Sequence, residues 1–541
     1  MSIIADSFLD STDFRLALYL DLKNHSGQHR AAQTILASKG LVLESAGNQY
    51  RELLEAASPA TQKTFATLRS KLTELATRIY ARQPSDQPRL QPLAPLQQEI
   101  EQLETELART SPGFRQTTRT PQIEEVRQAL PPGTVLVEFY LYWRYSQDLN
   151  APPQPRYAAY MLSGSHPVQA VDIGAAEAVE NEIATLREAL QASGNGKVVR
   201  IVGARLYHLL FRKLARQLTH TKRVLISADG ELNLMPFEVL VDEQGRYLVE
   251  RWETGTLATG RDVLRWRERR PSQSSVVALA RPDYDADEEE QARQIKTGAT
   301  LALAPAAVRR ANPLERFDPL AGMRKEGDMV KSHFPAAIVL PDGAATEKAV
   351  KALHGPRILH LATHGFVLKD REFAALPTIK AQWGEPPTGE RTRQSWDDPM
   401  LRAGVALAGA NVRQAAGTAS NTEDDGILTA AEAARLDLRG TQVVLLSACE
   451  TGLGEVWGGE GVMGLRRAFE LAGARSQLFS LGVVNDLMTV QLMDGYYTHL
   501  AAGKGHAASW RTVQLEMLAK GIDPSVWASF VAYGNPGPIG P

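Results

Sequence analysis

The chain has 541 residues, more than one hydrophobic core ordinarily organises, so we expect two or three domains. Its 60 lysines and arginines nearly balance 62 aspartates and glutamates, which gives no electrostatic ground for binding nucleic acid or an anionic membrane. No apolar run reaches the roughly 18 residues that span a bilayer. The single cysteine excludes an intrachain disulfide and a cysteine-only metal site, and it fits a reducing cytoplasm, where we expect the protein to act.

Residues 1–130 are predicted to form a helical N-terminal region. Between residues 12 and 110, apolar positions recur at helical spacing, as in Phe65, Leu68, Leu72, Leu75 and Ile79. Residues 94–107 form a second candidate helix with an acidic face. No convincing repeat of 33 to 47 residues is found. We therefore expect this region to contain at most one degenerate helical repeat, or to serve as a docking element.

Residues 131–272 are predicted to form a first α/β unit. TVLVEFYLYW at 134–143 is rich in β-branched and aromatic residues, as a buried strand should be, and RVLISADG at 223–230 reads as a strand ending in a turn. Helices are expected at about 175–192 and 204–218. Strands that alternate with helices favour a mostly parallel sheet with helices on both faces.

Residues 273–541 are predicted to form a second such unit. Its short apolar strands lie in SSVVALARPDY, AAIVLPDG, RILHLATHG, TQVVLLSACETG and SQLFSLGVV. Helices are expected at 346–353, 430–436, 461–471 and 485–501. The stretch between residues 370 and 426 is rich in Pro, Gly, Thr and charge, which predicts a long loop or lid.

Two of these strands end in residues that carry chemistry. In residues 358–366 an apolar strand ends in His364 and Gly365, and in residues 443–452 another ends in Ser447, Ala448 and Cys449. Ligands of parallel α/β sheets bind beyond the carboxyl ends of the strands, so neighbouring strands would bring the imidazole and the thiol together. An imidazole can deprotonate a thiol, whose pKa is ordinarily about 8.5. The pattern predicts a cysteine nucleophile with a histidine base.

Such a site also needs donors for the oxyanion that forms on the attacked carbonyl. We expect these donors to be the backbone N–H groups of Gly365 and Cys449, because a glycine lets the backbone approach a substrate closely. The simplest alternative is that Cys449 is only a small buried hydrophobic residue. A metal site of His360, His364 and Cys449 is disfavoured, because the segment reads as strand and turn rather than helix and no Glu follows His360. His360 is then a structural residue, and we expect neither a metal nor another cofactor.

The sequence resembles the CHAT family, caspase-like peptidases related to separases and gingipains and often joined to tetratricopeptide repeats. The resemblance covers residues 120–535 in order. It is carried by NLMPFE at 233–238, TGRD at 259–262, ATE at 345–347, LHLATHGF at 359–366, PMLRAG at 399–404, LAGAN at 407–411, DGILT at 425–429, LSACETG at 446–452, EG at 460–461, GLRRAF at 464–469 and WASF at 527–530. It implies a caspase-like fold with an inactive first unit and an active second unit, and it assigns His364 and Cys449 as the catalytic pair.

The resemblance also implies peptide-bond hydrolysis of a protein substrate through a thioester. Activation by a partner or signal, possible docking through the N-terminal helices, and a role in bacterial defence or signalling are expected at the level of the family. The spacing of 85 residues between His364 and Cys449, and the absence of a QAC signature, do not indicate a true caspase. The alternative is a catalytically idle interaction platform.

The chain departs from the family pattern at Gly482, where a bulky aromatic residue is common. Gly482 is therefore a candidate determinant of an apolar substrate pocket. For a pocket that accepts a basic side chain, Asp486 is the first candidate and Asp424 and Asp425 are the second. The competing expectation is that Asp486 caps the helix that begins there, since aspartate is a favoured N-cap.

Overall fold

The computed structural model describes residues 12–13, 15–22, 24–40, 59–80, 93–110, 121–145, 152–164, 166–192, 194–267, 270–287, 316–368, 398–412, 424–448, 451–457, 461–482 and 484–540.

The α-helices within these residues range from four residues in α7 to 22 in α2. In chain order they are α1 His25–Ser38, α2 Pro59–Tyr80, α3 Leu93–Thr110, α4 Ile123–Ala129, α5 Ala176–Gln191, α6 Gly196–Leu210, α7 Leu248–Arg251, α8 Asp262–Arg265, α9 Ala321–His333, α10 Glu347–Lys351, α11 Ala430–Ala433, α12 Leu465–Leu471, α13 Asp486–Ala501, α14 His506–Ala519 and α15 Pro524–Trp527.

The strands fall into one large sheet and two small ones. In chain order they are β1 Thr134–Arg144, β2 Gln154–Ser163, β3 Gln169–Ala175, β4 Arg223–Ser227, β5 Glu253–Leu257, β6 Val277–Pro282, β7 Ile338–Asp342, β8 Ile358–Ala362, β9 Gly365–Val367, β10 Ala403–Ala406, β11 Ile427–Thr429, β12 Val443–Ser447, β13 Glu455–Trp457, β14 Gly461–Met463, β15 Ser476–Ser480 and β16 Phe530–Gly534.

The large sheet runs through both predicted α/β units without a break. Its strand order is β3-β2-β1-β4-β5-β16-β15-β12-β8-β6-β7. The antiparallel pairs are β1–β2, β2–β3 and β15–β16, and the other neighbours run parallel. Because β16 is parallel to β5 and antiparallel to β15, strands β1, β4 and β5 run opposite to β6, β8, β12 and β15. The carboxyl ends of the two halves therefore lie at opposite edges.

Helices cover both faces of this sheet, because alternate residues of its strands carry apolar side chains to both faces. In β12, Val443 and Leu445 pack into a core shared with α5, α6, α13 and α14. Val444 and Leu446 point to the other face and share a core with α2, α3, α11 and α12. A buried strand whose side chains are apolar on both faces needs a cover on each side. The predicted mostly parallel α/β sheet with helices on both faces is confirmed, whereas the domain boundaries after residues 130 and 272 remain predictions.

The structure changes three of the local predictions. Residues 403–406, inside the stretch expected to be a loop or lid, form β10 between β9 and β11, because Ala403–Ala406 is an apolar and fully buried segment. Residues 461–463, expected to be helical, form β14, and the helix begins at Leu465. The helix expected at 204–218 begins earlier, at Gly196, and ends at Leu210.

The N-terminal helices agree with the apolar periodicity. The five residues that predicted a helix lie in α2 and pack, together with Leu96 and Ile100 of α3, against the core of the second α/β unit. Among the helices of the described residues, none is both long and apolar enough to cross a membrane.

Candidate active site

Strands β8 and β12 are hydrogen-bonded neighbours, and their register aligns the two sequence segments that carry the chemistry. The strands run parallel with Ala362 opposite Ser447, the last residue of each. His364 follows Ala362 by two positions in the sequence, and Cys449 follows Ser447 by two positions. The two strands are therefore neighbours, which is the condition for bringing the imidazole and the thiol together. Cys449 itself lies outside the described residues, so its pairing with His364 remains a prediction.

The imidazole of His364 is almost fully buried and held by a backbone carbonyl. Its Nε2 lies 2.7 Å from the carbonyl oxygen of Asp318. A carbonyl oxygen only accepts hydrogen bonds, so Nε2 must carry the proton, and Nδ1 is the nitrogen that can accept one. The rings of Tyr284 and Phe317 lie 5.5 and 5.9 Å from the imidazole. A general base requires one ring nitrogen to be anchored in this way, so that proton transfer takes place at the other.

Asn411 fixes the segment that supplies this carbonyl. Its Oδ1 accepts a hydrogen bond of 2.9 Å from the Phe317 N–H, and its Nδ2 donates one of 2.9 Å to the Phe317 carbonyl. Its own backbone N–H donates to the Tyr284 carbonyl at 2.8 Å. Asn411 therefore links the residue next to Asp318, through its side chain, to the segment after β6 that carries Tyr284, through its backbone. Asn411 lies in the LAGAN motif, but its role could not be predicted from the sequence, because a contact with a backbone group leaves no pattern of side chains.

The backbone around His364 is held by β10. The Ala406 N–H donates to the His364 carbonyl at 3.0 Å, and the Thr363 hydroxyl donates to the Ala406 carbonyl. The Tyr284 hydroxyl and the Thr363 hydroxyl lie 3.0 Å apart. Gly365 begins β9 opposite Val405 and is buried. The role of its N–H group in binding an oxyanion remains a prediction.

His360 is a buried member of a hydrogen-bonded chain inside the fold. Its Nε2 lies 2.9 Å from the Glu326 carboxylate and its Nδ1 lies 2.8 Å from the Tyr497 hydroxyl. Both ring nitrogens of His360 are thus engaged within the protein. Over the part of the chain that the structure describes, no group of three or more His, Cys, Asp or Glu side chains could hold a metal ion.

Asp486 begins α13, the helix that follows β15, and its carboxylate makes a contact inside the fold. It is fully buried, and its Oδ2 accepts a hydrogen bond of 2.6 Å from the Gly322 N–H, in the first turn of α9. The expectation that Asp486 caps its own helix is wrong, because Asn485 is the N-cap of α13 and accepts from Leu487 and Met488. Asp486 instead places its carboxylate at the positive end of the neighbouring helix α9. A role for Asp486 in substrate binding remains a prediction.

Asp425 belongs to a buried cluster of acids around Lys351, beneath helix α2. The Lys351 ammonium contacts the carboxylates of Glu347 and Glu432 and donates a hydrogen bond of 2.8 Å to the Thr73 hydroxyl of α2. The Asp425 N–H donates to Glu347 at 2.9 Å, and its own carboxylate accepts from Ile427 at 2.8 Å. Burial, and then the charge of Glu432, raise the pKa of Asp425 to about 6. Asp424, the other candidate here, is also buried.

This cluster predicts an unusual pH dependence of stability. An aspartate whose pKa is about 6 when folded and 3.8 when unfolded binds its proton more tightly in the folded state. Its contribution to stability is complete below pH 4 and is lost as pH rises to 6, by about 3 kcal/mol for two pKa units. Asp425→Asn keeps an acceptor for Ile427 and carries no charge. We therefore expect its melting temperature, relative to that of the wild type, to increase between pH 4.5 and 7.5.

Asp437→Asn is the matched control for this prediction. Although burial alone would raise the pKa of Asp437, its hydrogen bonds and ion pair with Arg439 leave that pKa below its ordinary value of 3.8. Its contribution to stability is therefore lost only as pH falls below about 4, so the melting temperature of Asp437→Asn relative to that of the wild type should stay constant between pH 4.5 and 7.5. Equal shifts for both variants across the pH range would contradict the assignment of the Asp425 proton.

Gly482 borders a small cavity between the two α/β units. The cavity has a volume of about 30 Å³ and is also lined by Leu234, Pro236 and Leu481. A Cβ atom added at Gly482 would meet no heavy atom within 4 Å. The space beside Gly482 is therefore open, but the described cavity holds no more than about one water molecule. Its role as a specificity determinant remains a prediction.

A family model matches the part of the chain that contains His364, Cys449 and the strands around them. The model of the CHAT domain matches residues 200–535. The chain belongs to the CHAT-domain family. The match includes the segments around His364 and Cys449 as well as the strands β4 to β16 that position them. The resemblance drawn from the sequence motifs is therefore confirmed.

This CHAT-domain protein is similar to one human protein and, more weakly, to two solved structures. Tetratricopeptide repeat protein 28 of Homo sapiens is 25% identical over 350 residues, which cover 61% of this chain and 13% of that protein. The cysteine proteinase gingipain R is similar with a TM-score of 0.34 and 10% identity, over 67% of this chain and 74% of that one. The Saccharomyces cerevisiae separase in complex with securin has a TM-score of 0.41 and 8% identity, over 82% and 33%. TM-scores below 0.5 establish no common fold, and the chain spans only a small part of its human relative.

Proposed function

We propose that the protein is a cysteine endopeptidase in which Cys449 is the nucleophile and His364 its general base. The observation that supports the proposal most strongly is the register of β8 and β12. The last residues of these strands lie opposite each other, so the segments that contain His364 and Cys449 leave the sheet side by side at the same edge. The anchoring of Nε2 on the Asp318 carbonyl supports it, because it presents Nδ1 as the basic nitrogen. Membership in the CHAT-domain family supports it independently.

The reaction would proceed in two steps. Nδ1 of His364 takes the proton of the thiol, and the sulfur attacks the peptide carbonyl to give a tetrahedral oxyanion. The N–H groups of Gly365 and Cys449 would stabilise this oxyanion. When the C–N bond breaks, His364 gives its proton to the leaving amine, and a thioester remains on Cys449. Water, deprotonated by His364, then hydrolyses the thioester and restores the thiol.

The substrate in this proposal is a protein, and a partner or signal activates the enzyme in the cytoplasm, in a defence or signalling role. The packing of α2 against the second α/β unit supports a regulatory path through the N-terminal helices. The Thr73 hydroxyl on α2 accepts a hydrogen bond from Lys351, and Glu104 on α3 pairs with Arg435 at 3.4 Å. A partner that binds these helices would act directly on the core beside β8 and β12.

Covalent labelling tests the proposed function without knowledge of the substrate. Because Cys449 is the sole thiol, a peptidyl electrophile such as an acyloxymethyl ketone can label only this cysteine among the thiols of the chain. We expect the wild type to be labelled. His364→Ala should reduce this labelling at least about tenfold, and a chelator should leave it unchanged. His208→Ala, an exposed histidine on α6, is the control. Equal labelling of the wild type and His364→Ala would favour an idle interaction platform, and loss of labelling with a chelator would favour a metal site.

Asn411 provides a further prediction about positioning. Asn411→Ala removes both hydrogen bonds to Phe317 and releases the segment that holds the His364 imidazole. We expect kcat to fall by about ten- to a hundredfold with little change in KM, since small misplacements of a catalytic group have effects of this size. The acidic limb of the pH–rate profile should also move. Asn535→Ala, a buried asparagine at the other edge of the sheet, is the control, and an equal loss in both variants would contradict a positioning role.

A further inference from the structure

Helix α9 begins next to the segment that holds the His364 imidazole. The carbonyl oxygen of Asp318 accepts a hydrogen bond from Nε2 of His364, and Asp318 lies just before Ala321, the first residue of α9. On the other side of Asp318, the Asn411 side chain fixes Phe317. The position of the Asp318 carbonyl therefore also depends on what fixes the start of α9.

The start of α9 is capped by a side chain from another helix. Its own N-cap residue is Leu320, an apolar residue, and its first turn, residues 321–324, contains no acid. The first N–H groups of a helix have no partner within the helix and need an acceptor from elsewhere. The carboxylate of Asp486, which is fully buried, accepts from the Gly322 N–H at 2.6 Å. A side chain of α13 thus does the work of an N-cap for α9.

Gly322 leaves the space that this contact requires. A Cβ atom at position 322 would lie between 2.5 and 2.7 Å from three atoms of Asp486, including its Oδ1 and Cγ. Ordinary contacts between carbon atoms are about 3.5–4.0 Å long, so any side chain at this position would displace the carboxylate. The capping of α9 by Asp486 therefore depends on the glycine.

The first turn of α9 also packs against the end of the strand that leads to His364. Leu320 and Met323 form a buried apolar cluster with Ala362, the last residue of β8. A shift of this turn would therefore disturb the Asp318 carbonyl and the end of β8 together. Both of these contacts hold the imidazole in place.

We propose that Asp486 is a positioning residue for the general base. By capping α9, it keeps the Asp318 carbonyl where Nε2 of His364 can donate to it, and so keeps Nδ1 as the basic nitrogen. The proposal rests on the proposed role of His364 in the reaction. It assigns the Asp486 carboxylate to a contact inside the fold, whereas a substrate pocket would use the same carboxylate to bind a basic side chain.

Nuclear magnetic resonance of imidazole N–H protons tests the proposal on the full chain. With isotope-labelled histidine, His364→Ala identifies the His364 Nε2–H signal among the 11 histidines. This proton should exchange with water at least about tenfold faster in Asp486→Ala, because the buried hydrogen bond opens more often. Gly322→Ala, which displaces the carboxylate without removing it, should have the same effect. Asp486→Asn should retain the slow exchange, since asparagine caps helices as well as aspartate does.

The protein contains an internal reference for this measurement. Nε2 of His506 lies 3.1 Å from the Gln477 carbonyl, and His506 is buried. Its N–H signal should be unchanged in every variant.

Asp523→Ala is the matched control for the loss of a helix cap. Asp523 accepts from the Ser525 N–H at 2.9 Å in α15 and from the Gly196 N–H at 3.2 Å at the start of α6. Its replacement should lower the melting temperature and leave the His364 signal unchanged. Equally fast exchange in Asp523→Ala and Asp486→Ala would overturn the proposal. Unchanged exchange in Asp486→Ala and Gly322→Ala would also overturn it, and this is the result expected if Asp486 only binds the substrate.

Covalent labelling of Cys449 in the same variants separates this proposal from the proposed function. Labelling should slow at least about tenfold in Asp486→Ala and Gly322→Ala and be retained in Asp486→Asn, since a misplaced base activates the thiol poorly. Labelling of Asp486→Ala as fast as that of the wild type would overturn the positioning role. A wild type that is not labelled would contradict the peptidase assignment, and the His364 signal would still decide whether Asp486 holds the imidazole in place.

Discussion

Cys449→Ala and His364→Ala should each reduce peptide-bond cleavage by at least about 10³-fold, because each removes a group that forms or breaks a bond in the reaction. The two effects should not add in the double variant, since the pair acts as one unit. The measurement is cleavage of a peptide library by the activated protein, followed by mass spectrometry.

The control for these variants is the integrity of the fold. Cys449→Ala replaces one small residue by another, and His208→Ala removes an exposed histidine from α6 without approaching β8. Melting temperatures should therefore stay close to that of the wild type for Cys449→Ala and His208→Ala. Cleavage that persists above a few per cent in a folded Cys449→Ala protein would rule out this cysteine as the nucleophile.

Lys39→Met should destabilise the N-terminal half by about 3–5 kcal/mol, the usual cost of removing one partner of a buried ion pair. Lys39 follows helix α1, and its ammonium is buried at the carboxyl end of β4. It lies 3.5 Å from Glu138 and 2.6 Å from the Ser227 hydroxyl, and it donates to the Phe139 carbonyl at 2.9 Å. Methionine would leave these acceptors without their cation. Urea denaturation, with hydrogen exchange of residues 25–38, measures the loss.

The double variant Lys39→Met/Glu138→Gln distinguishes the ion pair from simple packing. Glu138 accepts from the Gly260 N–H at 3.1 Å, a bond that glutamine can keep. The double variant should recover at least half of the stability lost in Lys39→Met, because no carboxylate is then left without its partner. Losses that simply add would show that the charge of Glu138 is not coupled to Lys39.

The alternation of apolar strands with helices was sufficient to predict the covered, mostly parallel sheet. The apolar segments 358–366 and 443–452 contain β8 and β12, because residues buried on both faces leave a continuous signal in the sequence, although both strands end two residues before His364 and Cys449. The same signal placed His364 at a strand end. Helix α2 was found because only one of its faces is buried, which produces a 3.6-residue period.

Other features depend on contacts between distant segments and leave no local pattern. Strand β16 lies between β5, to which it is parallel, and β15, to which it is antiparallel, and so joins both units into one sheet. This arrangement places Tyr533 beside Thr256, which is far from it in the sequence. Asp486 was assigned to a pocket or to its own helix because no sequence signal shows that Gly322 of α9 lies beside it. The Asp318 carbonyl and Asn411 were missed for the same reason.

Mapping of new protein N-termini in cells tests the central claim most directly. Cells that express the wild-type chain with its activating signal should show a set of new N-termini that disappears together in Cys449→Ala and in His364→Ala and persists in His208→Ala. The same set of N-termini in the wild type and in Cys449→Ala would contradict the assignment of this chain as a cysteine endopeptidase.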